Sequence, residues 1–179
     1  MERPPDDITP PDLARMAVEL FITESKTLDP PRAPAGVLAQ QAGAFVTLRT
    51  VDGDLRGCIG TIASTCETIA EEIIQNAISA ATRDPRFSPV EAGELPRLTY
   101  GVDLLSPREA ARGPEDLDPS HYGVVIETLD GARRGLLLPR IEGIETVEQQ
   151  WLAVHRKAGI PVGTPVKVER FSVTRFGKD

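Results

Sequence analysis

The chain is poor in the residues that build prosthetic centres. Among 179 residues there are two cysteines, Cys58 and Cys66, and two histidines, His121 and His155. They form no CxxC pair and have no zinc-ligand spacing, so no metal site is expected. Two thiols are also too few for a disulfide framework, which fits a reducing compartment. No apolar run approaches the ~18 residues of a membrane span. The opening Met1-Glu2-Arg3-Pro4-Pro5-Asp6-Asp7 has no apolar core of a secretory signal. The expectation is a cytoplasmic protein with no membrane part. Positive charge is in deficit, 20 Lys and Arg against 27 Asp and Glu, for a net charge of −7 and a pI near 5.0. That balance excludes broad electrostatic binding to nucleic acid, which needs a basic stripe. No motif for a nicotinamide, ATP or haem cofactor is present, so no cofactor is expected.

What is present fits a soluble globular chain, 40% hydrophobic and 26% charged. Its length predicts one core, with a loose tail over residues 1–8 and a single domain over 9–179. Thr9 reads as a helix N-cap before Pro10, with Leu13, Met16, Ala17, Leu20 and Phe21 as the buried stripe. A long irregular connection runs from Leu28 to Gln41. Two strands, Ala44 to Thr50 and Leu55 to Thr61, flank Asp52-Gly53, a signal for a two-residue hairpin. Ser64 with Glu67 reads as a capping box that opens a helix carrying Ile69, Ile73, Ala77 and Ala80 on one side. A strand from Leu98 stops at Ser106-Pro107. Tyr122 to Leu129 and Arg133 to Leu138 flank a second turn at Asp130-Gly131. Thr146 with Gln149 caps a further helix closed by Gly159, and a last strand spans about Val166 to Phe176 with a bulge near Glu169 or Arg170.

The run Leu55-Arg56-Gly57-Cys58-Ile59-Gly60 places a guanidinium and a thiol two residues apart on one strand. Alternate side chains leave by opposite faces, so Leu55 and Ile59 share one face while Arg56 and Cys58 share the other. A cation beside a thiol favours the thiolate, which makes Cys58 a candidate nucleophile and Arg56 its stabiliser or an anion clamp. Gly57 and Gly60 permit a ligand or another backbone to approach closely. The opposite reading is that Cys58 packs as a small hydrophobe. The charges of Asp84-Pro85-Arg86-Phe87-Ser88-Pro89 read more as caps and turns than as the lining of a cleft.

Thr50-Val51-Asp52-Gly53-Asp54-Leu55-Arg56-Gly57 matches Thr128-Leu129-Asp130-Gly131-Ala132-Arg133-Arg134-Gly135 at a constant offset of 78 residues. This predicts an α+β fold of two related strand-hairpin-helix repeats that share one mostly antiparallel sheet. Leu136 stands where Cys58 stands in the first copy, so the architecture accepts an aliphatic side chain there.

These segments resemble the AMMECR domain family, and specifically its bacterial AmmeMemoRadiSam system protein A type. The hexapeptide at 55–60 carries the resemblance, with Asp84-Pro85-Arg86-Phe87, Val102-Asp103-Leu104-Leu105-Ser106-Pro107 and Arg134-Gly135-Leu136-Leu137-Leu138-Pro139 in support. The resemblance implies two repeats in a partly barrel-like sheet, and a modification pathway shared with separate Memo-like and radical SAM proteins. It leaves two readings of function. In one, the chain is an enzyme with Cys58 as nucleophile and Arg56 beside it, Arg86 or Arg134 as further anion contacts, and Asp103 or His121 assisting proton transfer. In the other, it is a non-catalytic module whose Arg56 and Arg134 hairpins bind a small anionic ligand, a nucleotide or a partner, with Gly57, Gly60 and Arg86 at the site.

Overall fold

The helix expected after Thr9 forms around the signals that announce it. In the computed structural model, which describes residues 3–177, α1 spans Pro10–Glu24, the Thr9 side chain accepts from the Asp12 N–H, and Leu13, Ala17 and Leu20 are buried. Met1 and Glu2 of the expected tail lie outside the described residues. The remainder is tied down: Asp6 accepts through Oδ1 from the Ala33 N–H and through its backbone carbonyl from the Ala35 N–H. The irregular connection after α1 contains one 3-10 turn, Gly36–Ala39.

Strands β1 (Ala44–Thr50) and β2 (Leu55–Gly60) form an antiparallel hairpin. Its connection is longer than the two residues expected. The Gly53 N–H donates to Thr50, Gly53 has φ +96°, and the register shifts between Leu48 and Arg49. A glycine tolerates that left-handed conformation and lets a bulge absorb the extra residues. Helix α2 (Ile69–Thr82) follows. It starts four residues later than Ser64 predicts, because Thr68 and Glu71 make the capping box. Ser64 instead hydrogen-bonds Glu72 and the Cys66 carbonyl. Strand β3 (Leu98–Leu105) pairs with β1, and the sheet order is β2-β1-β3-β8, where β8 is Val173–Phe176. Helices α1 and α2 pack against each other, and α2 packs on β1 and β2. Leu13, Val18, Val46, Leu48, Ile69, Ile73 and Val102 form the centre of that core. Each such Leu or Ile stabilises by about 1.5–3 kcal/mol through burial.

A second four-stranded sheet holds β4 (Glu109–Ala111), β5 (Gly123–Thr128), β6 (Arg134–Leu137) and β7 (Val166–Phe171) in the order β4-β7-β5-β6. Helix α3 (Val147–Ala158) is opened by a Thr146–Gln149 capping box, ends at Gly159, and packs on β5 and β6 over Val124, Ile126, Leu137 and Val154. The expected last strand is therefore two strands of different sheets, parted at Ser172. The single domain expected over 9–179 divides into two compact units, residues 1–104 with 174–179 and residues 105–173. The two halves build separate antiparallel sheets rather than sharing one, and neither sheet closes into a barrel. A proline after Ser106 interrupts the ladder where the first sheet gives way. Within each unit the hairpin register is alike: Leu48 faces Gly57, and Ile126 faces Gly135. No helix among the described residues is long and apolar enough to cross a membrane.

Candidate functional site

Cys58 lies on β2, at the edge of its sheet. Opposite it on β1 is Thr47, and beyond Thr47 on β3 is Gly101. The Thr47 hydroxyl donates to Cys58 Sγ at 3.3 Å, and the thiol is half-buried. Val46, in the core, pairs with Ile59, so Ile59 and Cys58 leave by opposite faces as the alternation requires.

The free side of β2 is closed by residues that follow α2. The Cys58 N–H donates to Asp84 Oδ2 at 2.8 Å. Arg86 grips the same carboxylate, with Nε 2.9 Å from Oδ1 and Nη2 2.7 Å from Oδ2, while its backbone N–H donates to Oδ1. Nη2 also reaches the Cys58 carbonyl at 3.5 Å. Together Asp84 and Arg86 occupy both backbone groups of Cys58, as a neighbouring strand would, which blunts the edge. The Arg86 guanidinium holds Asp84 far below the usual carboxylate range against the opposing effect of burial, and the Cys58 N–H adds to it. Arg86 is half exposed, and its hydrogen bonds to Asp84 raise its already high value. The charges of 84–89, read from sequence as caps and turns, thus bear directly on Cys58.

Arg56 takes a different place from the one its spacing implies. Its Nε and Nη2 donate to Glu94 at 2.7 and 2.9 Å, and Nη1 and Nη2 reach the Ser88 and Pro89 carbonyls. The pair holds Glu94 below its usual range. With its donors so engaged, Arg56 clamps the 88–94 segment and shares no hydrogen bond with the thiol among the described residues. The Arg56 and Arg86 guanidinium carbons lie 5.8 and 5.5 Å from the centre of the Phe87 ring, within cation–π range of it.

The close approaches that the hexapeptide glycines permit are made by the protein itself. A Cβ at Gly57 would collide with the Ala80 carbonyl oxygen, so α2 lies directly on β2 there. A Cβ at Gly60 would meet the Phe45 ring. Arg134 belongs to the second unit, 3.5 Å from Glu127 and 3.9 Å from Glu169. Asp103 is buried and bound through both oxygens by Arg175, at 2.7 and 3.1 Å. His121, also in the second unit, is exposed, and its Nδ1 contacts both Asp118 and Ser120. Cys58 and Arg86 are therefore in contact, Gly57 lies against α2, and Arg56 and Arg86 share the Phe87 ring.

One functional-looking group escapes the sequence reading. Glu72, 1% exposed in the first turn of α2, accepts from the Thr61, Ser64 and Thr65 hydroxyls and from the Thr65 and Cys66 N–H groups. Burial opposes its ionisation, but these hydrogen bonds outweigh that and hold it below the usual carboxylate range. Buried Asn76 extends the network to Thr61 and to the Ala44 carbonyl. Its signal in the sequence was phase: Glu72 and Asn76 fall on the helix face that also carries Ile69, Ile73 and Ala77. Among the described residues no group of three or more His, Cys, Asp or Glu side chains is arranged to hold a metal ion.

The AMMECR1 family model matches residues 11–178, which includes the hexapeptide, the Asp84–Phe87 segment and both sheets. The chain belongs to the AMMECR1 family. This AMMECR1 chain is 47% identical over 161 residues to a Thermotoga maritima protein, covering 89% of the chain and 91% of that relative. A Clostridium acetobutylicum protein is 41% identical over 165 residues, 91% of the chain but 34% of that longer protein. Among solved structures, the crystal structure of an uncharacterized protein from Pyrococcus horikoshii superposes with a TM-score of 0.86 at 31% identity, covering 95% of this chain and 90% of that one. The AMMECR1 fold seen here is thus also that of an archaeal relative.

Proposed function

We propose that the chain is a thiol-dependent enzyme in which Cys58 Sγ is the nucleophile, acting in a modification pathway with separate Memo-like and radical SAM proteins. Arg86, rather than Arg56, supplies the positive charge beside the thiol, and Arg56 positions the segment that carries Phe87. The observation that carries this reading is the Asp84–Arg86 pair fastened to the Cys58 backbone. It holds a guanidinium against the backbone of a half-buried thiol, which places an anion-binding donor on the residue that carries the nucleophile. The constant 78-residue offset, seen in the hairpin registers and in the helix caps Thr68 and Thr146, supports a duplicated segment in which one copy acquired the thiol and the other kept Leu136.

The test is iodoacetamide alkylation as a function of pH, followed at Cys58 by peptide mass spectrometry with Cys66 as internal reference. Cys58 is expected to be alkylated in folded protein, and more slowly once Arg86→Gln removes the guanidinium. A Cys58 that stays unreactive in folded protein across the range overturns the proposal.

A second reading is favoured by one feature: the hydrogen-bond partner of the thiol is the Thr47 hydroxyl, with no histidine or carboxylate bonded to it among the described residues. On that reading Arg86 and Phe87 form a non-catalytic surface for a small anion, a nucleotide or an acidic partner segment. Binding lost in Arg86→Gln but retained in Cys58→Ala would select it over the enzyme.

A further inference from the structure

The second unit carries a cleft of about 550 Å³ on its own sheet, well within the range of small-molecule sites. Its lining residues all come from β4 to β7 or the turn before β4, so it is complete within that unit. The strand pairing arranges the lining in two rows. Glu127 on β5 faces Arg134 on β6 on one side and Lys167 on β7 on the other. Two residues along, Val125 faces Glu169, and Glu169 faces Ala110 on β4. Side chains two apart on a strand share a face, so both rows lie on one side of the sheet.

The charges in these rows are unequally matched. Arg108 binds Glu169 at 2.6 Å, which satisfies that carboxylate. Arg134 lies 3.5 and 3.9 Å from Glu127 and Glu169, longer than hydrogen bonds, and none of its five N–H donors makes a hydrogen bond among the described residues. Lys167 is exposed and makes neither an ion pair nor a hydrogen bond among them. The cleft therefore holds three cations against two carboxylates, with the Arg134 guanidinium in two long ion pairs but no hydrogen bond and the Lys167 ammonium in neither. In the adjoining row Glu169 separates Ala110 from Val125, which is buried.

We propose that this cleft binds a small organic anion, its phosphate or carboxylate taken by Arg134 and Lys167. Guanidinium and ammonium donors suit either anionic group, the fork engaging two oxygens at once. Glu127 stands between the two cations and opposes an incoming anion, so it sets the affinity from below. The proposal is independent of any chemistry at Cys58.

The test uses the full chain labelled with 15N and titrated with 1-naphthyl phosphate, 1-naphthoate and the neutral 1-naphthalenemethanol. Saturable amide shifts are expected at residues 125–127, 134 and 166–169 with either anion and not with the alcohol. The anion that binds more tightly identifies which headgroup the site prefers. Arg134→Gln and Lys167→Gln should each weaken binding about tenfold, while Glu127→Gln should tighten it several-fold with the amide spectrum otherwise retained. Equal shifts with the neutral alcohol, no saturation with either anion, or an affinity unchanged or weakened by Glu127→Gln would overturn the proposal.

Discussion

Asp84 accepts the N–H of Cys58 at 2.8 Å, so the carboxylate that follows α2 holds the backbone of the residue proposed to react. The same carboxylate is held by Arg86, and it is 4% exposed. The thiol's position is therefore tied to the ionisation of a group 26 residues away in the chain.

This coupling has a definite sign with pH. Because Asp84 has a lowered value in the folded state, its contribution is present above the ordinary carboxylate value of ~4 and is lost as pH falls below it. Urea unfolding of the native chain should lose stability as pH is lowered from about 5 to 3. The Asp84→Asn variant should show a shallower decline over that window and be about 2 kcal/mol less stable at pH 7, since Arg86 loses its partner. An identical slope in the two proteins would remove Asp84 from the account.

The two glycines that face helices should respond differently to a methyl group. Gly57→Ala directs a Cβ at a carbonyl oxygen of α2, and Gly135→Ala directs one at the Ala158 side chain. Each should cost about 2–4 kcal/mol in thermal or urea unfolding. Ala158→Gly should recover part of the Gly135→Ala loss, because it deletes the nearest clashing atom. Ala80→Gly should recover none of the Gly57→Ala loss, because the obstructing atom is backbone.

Cys66 supplies the reference for the alkylation experiment and a prediction of its own. Burial pushes its thiol up, and the nearby Glu72 charge adds to that, while the Thr65 hydroxyl opposes it. Its alkylation midpoint in folded protein should lie above that of a free cysteine. Glu72→Gln should bring the midpoint down and, by placing an amide among N–H donors, raise hydrogen exchange across residues 61–66. A midpoint unmoved by Glu72→Gln would show that the carboxylate charge does not reach the thiol.

Local signals carried much of this architecture. Pro10 after Thr9, the Thr146–Gln149 pair and Gly159 mark helix ends through chemistry confined to one turn, and the structure places those ends there. Alternation located β1 and β3 to the residue or nearly so. Ser64 misled because it satisfies the same pattern as Thr68, but its hydroxyl is engaged by Glu72 and the Cys66 carbonyl while Thr68 makes the cap. The partition into two sheets depended on long-range pairing that no window of sequence contains. At the candidate site, spacing put Arg56 and Cys58 on one strand, but Arg56 is the unpaired residue where the β1–β2 register shifts, and its guanidinium is taken by Glu94, 38 residues on. Asp84 and Arg86 were visible as charges without a target until the edge of β2 gave them one.

The passage of the chain from β7 into β8 sets an order on biosynthesis. The first sheet draws its fourth strand from residues 173–176, held in place by Arg175 on Asp103, and the whole second unit is threaded between β3 and that strand. During translation, residues 1–104 emerge with the outer side of β3 unpaired, and they wait for about seventy more residues before the sheet can be completed. Over that interval β3 is the segment a chaperone would have to shield.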